Sequence, residues 1–196
     1  ELASAAAATG GGGGAAMAGA LAAALASMVA NLTIGKEKFA DREPEVKELL
    51  EQAEAERVRL LTLVDEDAAV FNSFMSCYKL PKTTDEEKAA RTAAIRAAAK
   101  QAATVPLNIA RSSFAVLKLA DRLVVAGNPG VITDGACSGL LARAALRCAE
   151  YNVRINLGLT KDEVWNAQAA ADLKKLLADA EALETRLLAV TDKALQ

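Results

Sequence analysis

The segment from Thr9 to Lys36 limits what this chain can fold into more than any other. It reads T-GGGGG-AAMAGALAAALASMVANLTIG-K. Five glycines, Gly10–Gly14, run directly into a stretch of mostly Ala, Gly, Leu, Met and Val, and Lys36 is the first charge after them. Alanine has the highest helix propensity, so the stretch after Gly14 is expected to be helical. Gly35 suits a helix C-terminus, and Lys36 complements the negative end of the dipole. A helix with no charge on any face is expected to be covered on every face. The segment therefore reads as the central rod of a bundle. Its length also suits a membrane span, but Ala and Gly are weakly hydrophobic, no second such segment follows and no aromatic belt flanks it, so no membrane is expected. The glycines by themselves also suit a flexible linker.

Composition narrows the fold class. Hydrophobic residues make up 53% of the 196 residues and aromatics 4%, the excess being Ala and Leu. That balance favours tight helix-on-helix packing in a single domain over residues 1–196, with 1–8 as a disordered or upstream tail. The expected class is all-α, a long-helix bundle with two small-residue central helices. A net charge of −2 and the lack of basic runs with interleaved aromatics argue against nucleic acid as a partner. There is no histidine, which removes the commonest general base and metal ligand. Cys77, Cys137 and Cys148 form no C-x-x-C pair, so no metal is expected and buried free thiols are. Free thiols place the chain in the cytoplasm or another reducing compartment, an organelle matrix included. The Ala-rich start lacks the charged and strongly apolar regions of a signal peptide.

The rest of the chain reads as helices. From Pro44 to Tyr78, the residues Val46, Leu49, Leu50, Ala53, Leu60, Leu61, Val64, Ala68, Phe71, Phe74 and Met75 recur at threes and fours. Thr84–Glu87 spells a capping box that opens the next helix, which Pro106 breaks or kinks and which runs on to about Val125. Gly127-Asn128-Pro129-Gly130 is a turn. A fourth helix starts at Thr133-Asp134 and runs to about Leu157; Gly135, Gly139, Ala142, Ala145 and Ala149 give it a small-residue face. A second capping box is expected at Thr160–Glu163. The last helix carries Leu173, Leu176, Ala180, Leu183, Leu187 and Val190, a packed seam within the bundle or in a dimer.

Candidate functional residues each carry two readings. The glycine run matches neither phosphate-binding fingerprint, but it allows close approach of backbone to a flat ligand beside the free N–H groups of a helix start. Asp134 at a helix start is an N-cap or a site acid. Asp65 and Asp67 lie in an otherwise apolar run, on a solvated edge or with one turned inward. Asn31 and Lys36 close the first helix, Lys36 as dipole complement or site cation. Asn152 and Asn156, four apart, suit hydrogen bonds to a heterocycle or between helices.

Laid out in order, the blocks GGGGAAMAGALAAALASMVANLTIGK, LTLVDEDAAVF, KLPKTTDEEKAAR, VPLNIA, GNPGVITD and YNVRIN resemble the cyclodeaminase/cyclohydrolase family. That is the family of formiminotetrahydrofolate cyclodeaminase and a class of methenyltetrahydrofolate cyclohydrolase. The resemblance runs from about Thr9 to about Val190. It implies a helical bundle that dimerises, a tetrahydrofolate site, and chemistry at the one-carbon bridge between N5 and N10, with no cofactor beyond the folate carrier. It gives Asp134, Asp67 and Lys36 as the catalytic set, and Gly11, Gly12, Gly13 and Asn152 as the substrate-binding set, to which Asn31 is added from its place at the end of the first helix. Asp134 matches the aspartate of the family's S-D motif, although Thr133 replaces the serine. Thr9 stands where the family has proline, Gly13 where many members have serine, and Gly135 follows the aspartate. These departures raise a second expectation, an inactive relative serving as a structural subunit of a larger assembly.

Overall fold

The computed structural model describes residues 2–5, 8 and 10–196. Glu1, Ala6, Ala7 and Thr9 lie outside the described residues, so part of the expected tail over 1–8 and the place of Thr9 before the glycines do too. Among the described residues five helices follow in order: α1 (Gly11–Asn31), α2 (Glu43–Cys77), α3 (Asp85–Ala126), α4 (Ile132–Thr160) and α5 (Glu163–Ala194). Short 3-10 turns at Glu37–Phe39 and Pro129–Val131 make the α1–α2 and α3–α4 corners. No strand occurs among the described residues, and the fold is an all-α bundle of long helices.

α1 and α4 run antiparallel and close together. The Ser138 hydroxyl, two turns into α4, donates to the Ala22 carbonyl near the middle of α1 at 2.7 Å. At one end Gly11 meets Asn152. At the other, the Asn128 N–H donates to Thr33 Oγ1 at 2.8 Å, tying the end of α1 to the turn before α4. Small residues permit the approach: Ala16, Ala22, Ala23, Ala26, Ala30, Ala142, Ala145 and Ala149 are buried. Gly139 serves a different contact, since a β-carbon there would lie 2.5 Å from Leu187 Cδ1 of α5. α3 contributes as much, because it packs against all four other helices.

Several expectations change in the fold. Helix α1 begins at Gly11, so the glycines are its first turn and not a bend ahead of it. Most of α1 is buried, but Met17, Leu21, Met28 and Leu32 are exposed. The reason is geometric: α2, α3 and α4 cover three sides of the rod and leave a stripe outward. Pro106 does not break α3, which continues from Asp85 to Ala126. The Thr84–Glu87 box forms, with Glu87 N–H on Thr84 Oγ1 at 3.2 Å. The second box does not. α4 runs to Thr160, Lys161 takes a left-handed φ of 56°, and Asp162 caps α5 by accepting the Trp165 N–H at 3.0 Å. Cys137 and Cys148 are exposed, since they lie on the outer face of α4. Leu61 and Met75 are also exposed.

Candidate active site

A cavity of about 330 Å³ opens where α1 begins and α4 ends. Three kinds of surface line it. Gly10, Gly11 and Gly12 supply bare backbone. Val70, Phe71 and Phe74 of α2, with Ile155 and Leu159 of α4, supply apolar walls. Asp67, Asn152 and Asn156 supply polar groups, beside Ala102 of α3.

The first turn of α1 explains the glycines. Gly10 caps the helix without a side-chain bond, and the first internal bond is Gly14 N–H to Gly10 C=O at 3.0 Å. The N–H groups of Gly11, Gly12 and Gly13 therefore have no intrahelical partner. Asp67, arriving from α2, faces the Gly13 N–H, which favours its charged form. It comes so close that a β-carbon at Gly12 would lie 2.3 Å from its Oδ1. Glycine at this position is what lets the carboxylate sit at the positive end of the α1 dipole.

Two opposed effects act on that carboxylate. Burial, the larger, disfavours its charge, and the Gly13 N–H favours it; the net result is a pKa above the ordinary aspartate value. A half-buried acid with a raised pKa, against apolar walls and bare N–H groups, suits proton transfer to and from a flat, partly cationic ligand. On α4, Asn152 Nδ2 donates to the Cys148 carbonyl at 2.9 Å. Asn156 Nδ2 donates to the carbonyls of Ala102, at 2.8 Å, and Asn152, at 2.9 Å.

The residues singled out in the sequence divide into two groups. Gly11, Gly12, Gly13, Asp67 and Asn152 come together at this end. Asp65, the other inward candidate, is exposed. Asn31, Lys36 and Asp134 lie at the opposite end. Asn31 is the last residue of α1, about 30 Å of helix from Gly11, and Lys36 is exposed beyond it. Asp134 stands 18 positions before Asn152, about 27 Å along α4. It is not the N-cap, which is Val131, but lies within the first turn, half-buried and without a hydrogen bond or ion pair among the described residues. Within one chain, antiparallel packing of α1 on α4 separates it from the glycines.

Val70, Phe71, Phe74, Ile155 and Leu159 had no assigned part in the site, and Phe71 and Phe74 read as core. One signal would have found them. Asp67, Val70/Phe71 and Phe74 follow a single helical stripe, as do Asn152, Ile155/Asn156 and Leu159, so each polar residue carries its apolar neighbours to the same wall.

Known proteins resemble this chain over most of its length. A family model described as formiminotransferase-cyclodeaminase matches residues 1–175. The chain is 44% identical over 186 residues to a methenyltetrahydrofolate cyclohydrolase of Methylorubrum extorquens, covering 95% of this chain and 89% of that one. It is 33% identical over 166 residues to the formimidoyltransferase-cyclodeaminase of Sus scrofa, covering 85% of this chain but 31% of that longer protein. Its backbone is similar to the crystal structure of formiminotetrahydrofolate cyclodeaminase from Thermotoga maritima, with a TM-score of 0.89 and 28% identity, over 100% of this chain and 93% of that one.

Proposed function

Because the chain belongs to the formiminotransferase-cyclodeaminase family, we propose that it acts on the one-carbon bridge between N5 and N10 of tetrahydrofolate, as a methenyltetrahydrofolate cyclohydrolase. The observation that carries this is the Asp67 carboxylate held against the α1 N-terminus in an apolar cavity. End-to-end similarity to a cyclohydrolase favours that reaction. Likeness to a cyclodeaminase structure favours the second reading, ammonia loss from the formimino substrate.

Both reactions need the same group. In the hydrolase, Asp67 takes a proton from water as its oxygen bonds to the methenyl carbon. It returns that proton to the ring nitrogen whose C–N bond then breaks, and the new hydroxyl loses its own proton as the formyl C=O forms. In the deaminase, N10 attacks the carbon of a protonated formimino group and gives its proton to Asp67. Asp67 passes the proton to the nitrogen that leaves as ammonia. The carboxylate also opposes the positive charge of the methenyl carbon. This chemistry is complete without a metal or further cofactor, and none is proposed. Three free thiols, two of them exposed, support a reducing compartment, the cytoplasm or an organelle matrix.

Loss of methenyl absorbance and release of ammonia, assayed with each substrate, test the proposal and separate its two forms. Turnover of neither, with no folate binding by calorimetry, overturns it in favour of a non-catalytic subunit. Asp134→Asn is expected to leave turnover close to wild type if one chain makes the site. Its loss would mean that a second copy brings the start of α4 over the cavity.

A homodimer is proposed as well, joined through the outer faces of α1 and α4. Leu21 is 56% exposed on α1, and Leu140 43% and Tyr151 59% exposed on α4, and α1 offers no charge to hold its stripe in water. A twofold pairing lets each copy cover the other's stripe. Light scattering at micromolar concentration should return twice the chain mass; a monomer overturns the pairing.

A further inference from the structure

Pro106 lies buried inside α3 without interrupting it. A proline has no N–H, so the carbonyl four residues earlier, that of Ala102, loses its helical partner. An orphaned, half-buried carbonyl is costly unless another donor is found. Asn156 of α4 supplies one, donating from Nδ2 at 2.8 Å. Its second Nδ2 hydrogen goes to the Asn152 carbonyl at 2.9 Å. Pro106 of the VPLNIA block and Asn156 of the YNVRIN block, distant in the chain, are thus linked through the Ala102 carbonyl.

The amide orientation follows from its partners. Both groups that bond its terminal nitrogen are carbonyl oxygens, which only accept, so a flipped amide would set an acceptor against two acceptors. The plane is therefore held by two bonds from different helices. Asn156 Oδ1 accepts from no protein donor among the described residues, and Asn156 lines the cavity.

We propose that Asn156 is a substrate-recognition residue, clamped through the carbonyl that Pro106 frees so that its Oδ1 meets an N–H donor on the edge of the ligand's heterocycle. This rests on the folate reading of the site. A pterin carries ring N–H and amino donors, and a fixed acceptor recognises such an edge with little ordering cost. Asn156 orients the ring, while proton transfer stays with Asp67.

The test separates recognition from structure. Asn156→Ala should raise KM about tenfold, the size of one lost hydrogen bond, with kcat little changed. Asn156→Leu, of similar volume, guards against a packing defect and should behave alike. Pro106→Ala is the sharper variant. The alanine introduced there can donate its own N–H to the Ala102 carbonyl, so α3 should gain stability while the released Asn156 amide binds substrate less well and KM rises. In the Pro106→Ala background, Asn156→Ala should lower Tm less than it does in the wild type. An unchanged KM in Asn156→Ala and Pro106→Ala, with folate still bound, overturns this inference alone. No folate binding by the wild-type chain overturns it together with the reading of the site.

Discussion

Asp67→Asn is expected to lower turnover by about 10²–10⁴-fold, the usual contribution of a positioned acid or base, and at the same time to raise thermal stability. Burial sets the carboxyl pKa above its unfolded value of 3.8. For an acid shifted upward, the stabilising contribution is full below the unfolded pKa and is lost as pH rises through the folded pKa. At neutral pH the charged Asp67 therefore works against the fold. Asparagine carries no charge and still offers an oxygen to the Gly13 N–H, so the variant should melt higher than wild type near pH 7.5. That advantage should vanish near pH 3. The kcat/KM profile of the wild type should fall on the acid side through the raised pKa, and the variant should lack that limb. A variant with wild-type turnover would place the acid elsewhere. One that melts lower at neutral pH would mean that the N–H bond outweighs burial.

Gly12→Ala should be nearly as damaging to activity, for a steric reason. The new β-carbon would lie 2.3 Å from Asp67 Oδ1 and 2.6 Å from its Cγ. The carboxylate must rotate away from the α1 N-terminus, and a displacement of about 1 Å at a reacting group is enough to lose on the order of 100-fold in rate. Gly14→Ala is the matched control, because a β-carbon there meets nothing within 4 Å. That variant should keep its activity and gain up to about 1 kcal/mol from better helix propensity. Steady-state kinetics and denaturant melts of the pair read both effects. Equal activity in the two variants would mean that contact between Gly12 and Asp67 does not matter to the site.

Much of the fold was legible from local chemistry. The Ala-rich segment had to be helical, the Thr84–Glu87 box had to open α3, and the small faces of α1 and α4 had to pack closely. The first two follow from propensity or spacing within one stretch of chain, and the third from small residues recurring on one face of each of two helices. The misreadings came where a distant partner intervenes. Pro106 read as a break or a kink because proline removes an N–H from the helix; the break does not occur, and the Ala102 carbonyl finds a donor in Asn156 of another helix. Phe71 and Phe74 looked like core because periodicity reports an apolar face and not whether that face meets side chains or a cavity.

The sequence by itself determined the elements and a short roster of chemically capable residues: the glycines, the acids and the paired amides. Tertiary structure decided which of them share a site. That choice depends on the direction in which helices about 30 Å long cross one another. With α4 antiparallel to α1, Asn152 lands beside Gly11 and Asp134 at the far end, while α2 folds back to bring Asp67 onto the α1 N-terminus. Helix direction is set by long-range packing of apolar faces, and no local pattern of residues encodes it.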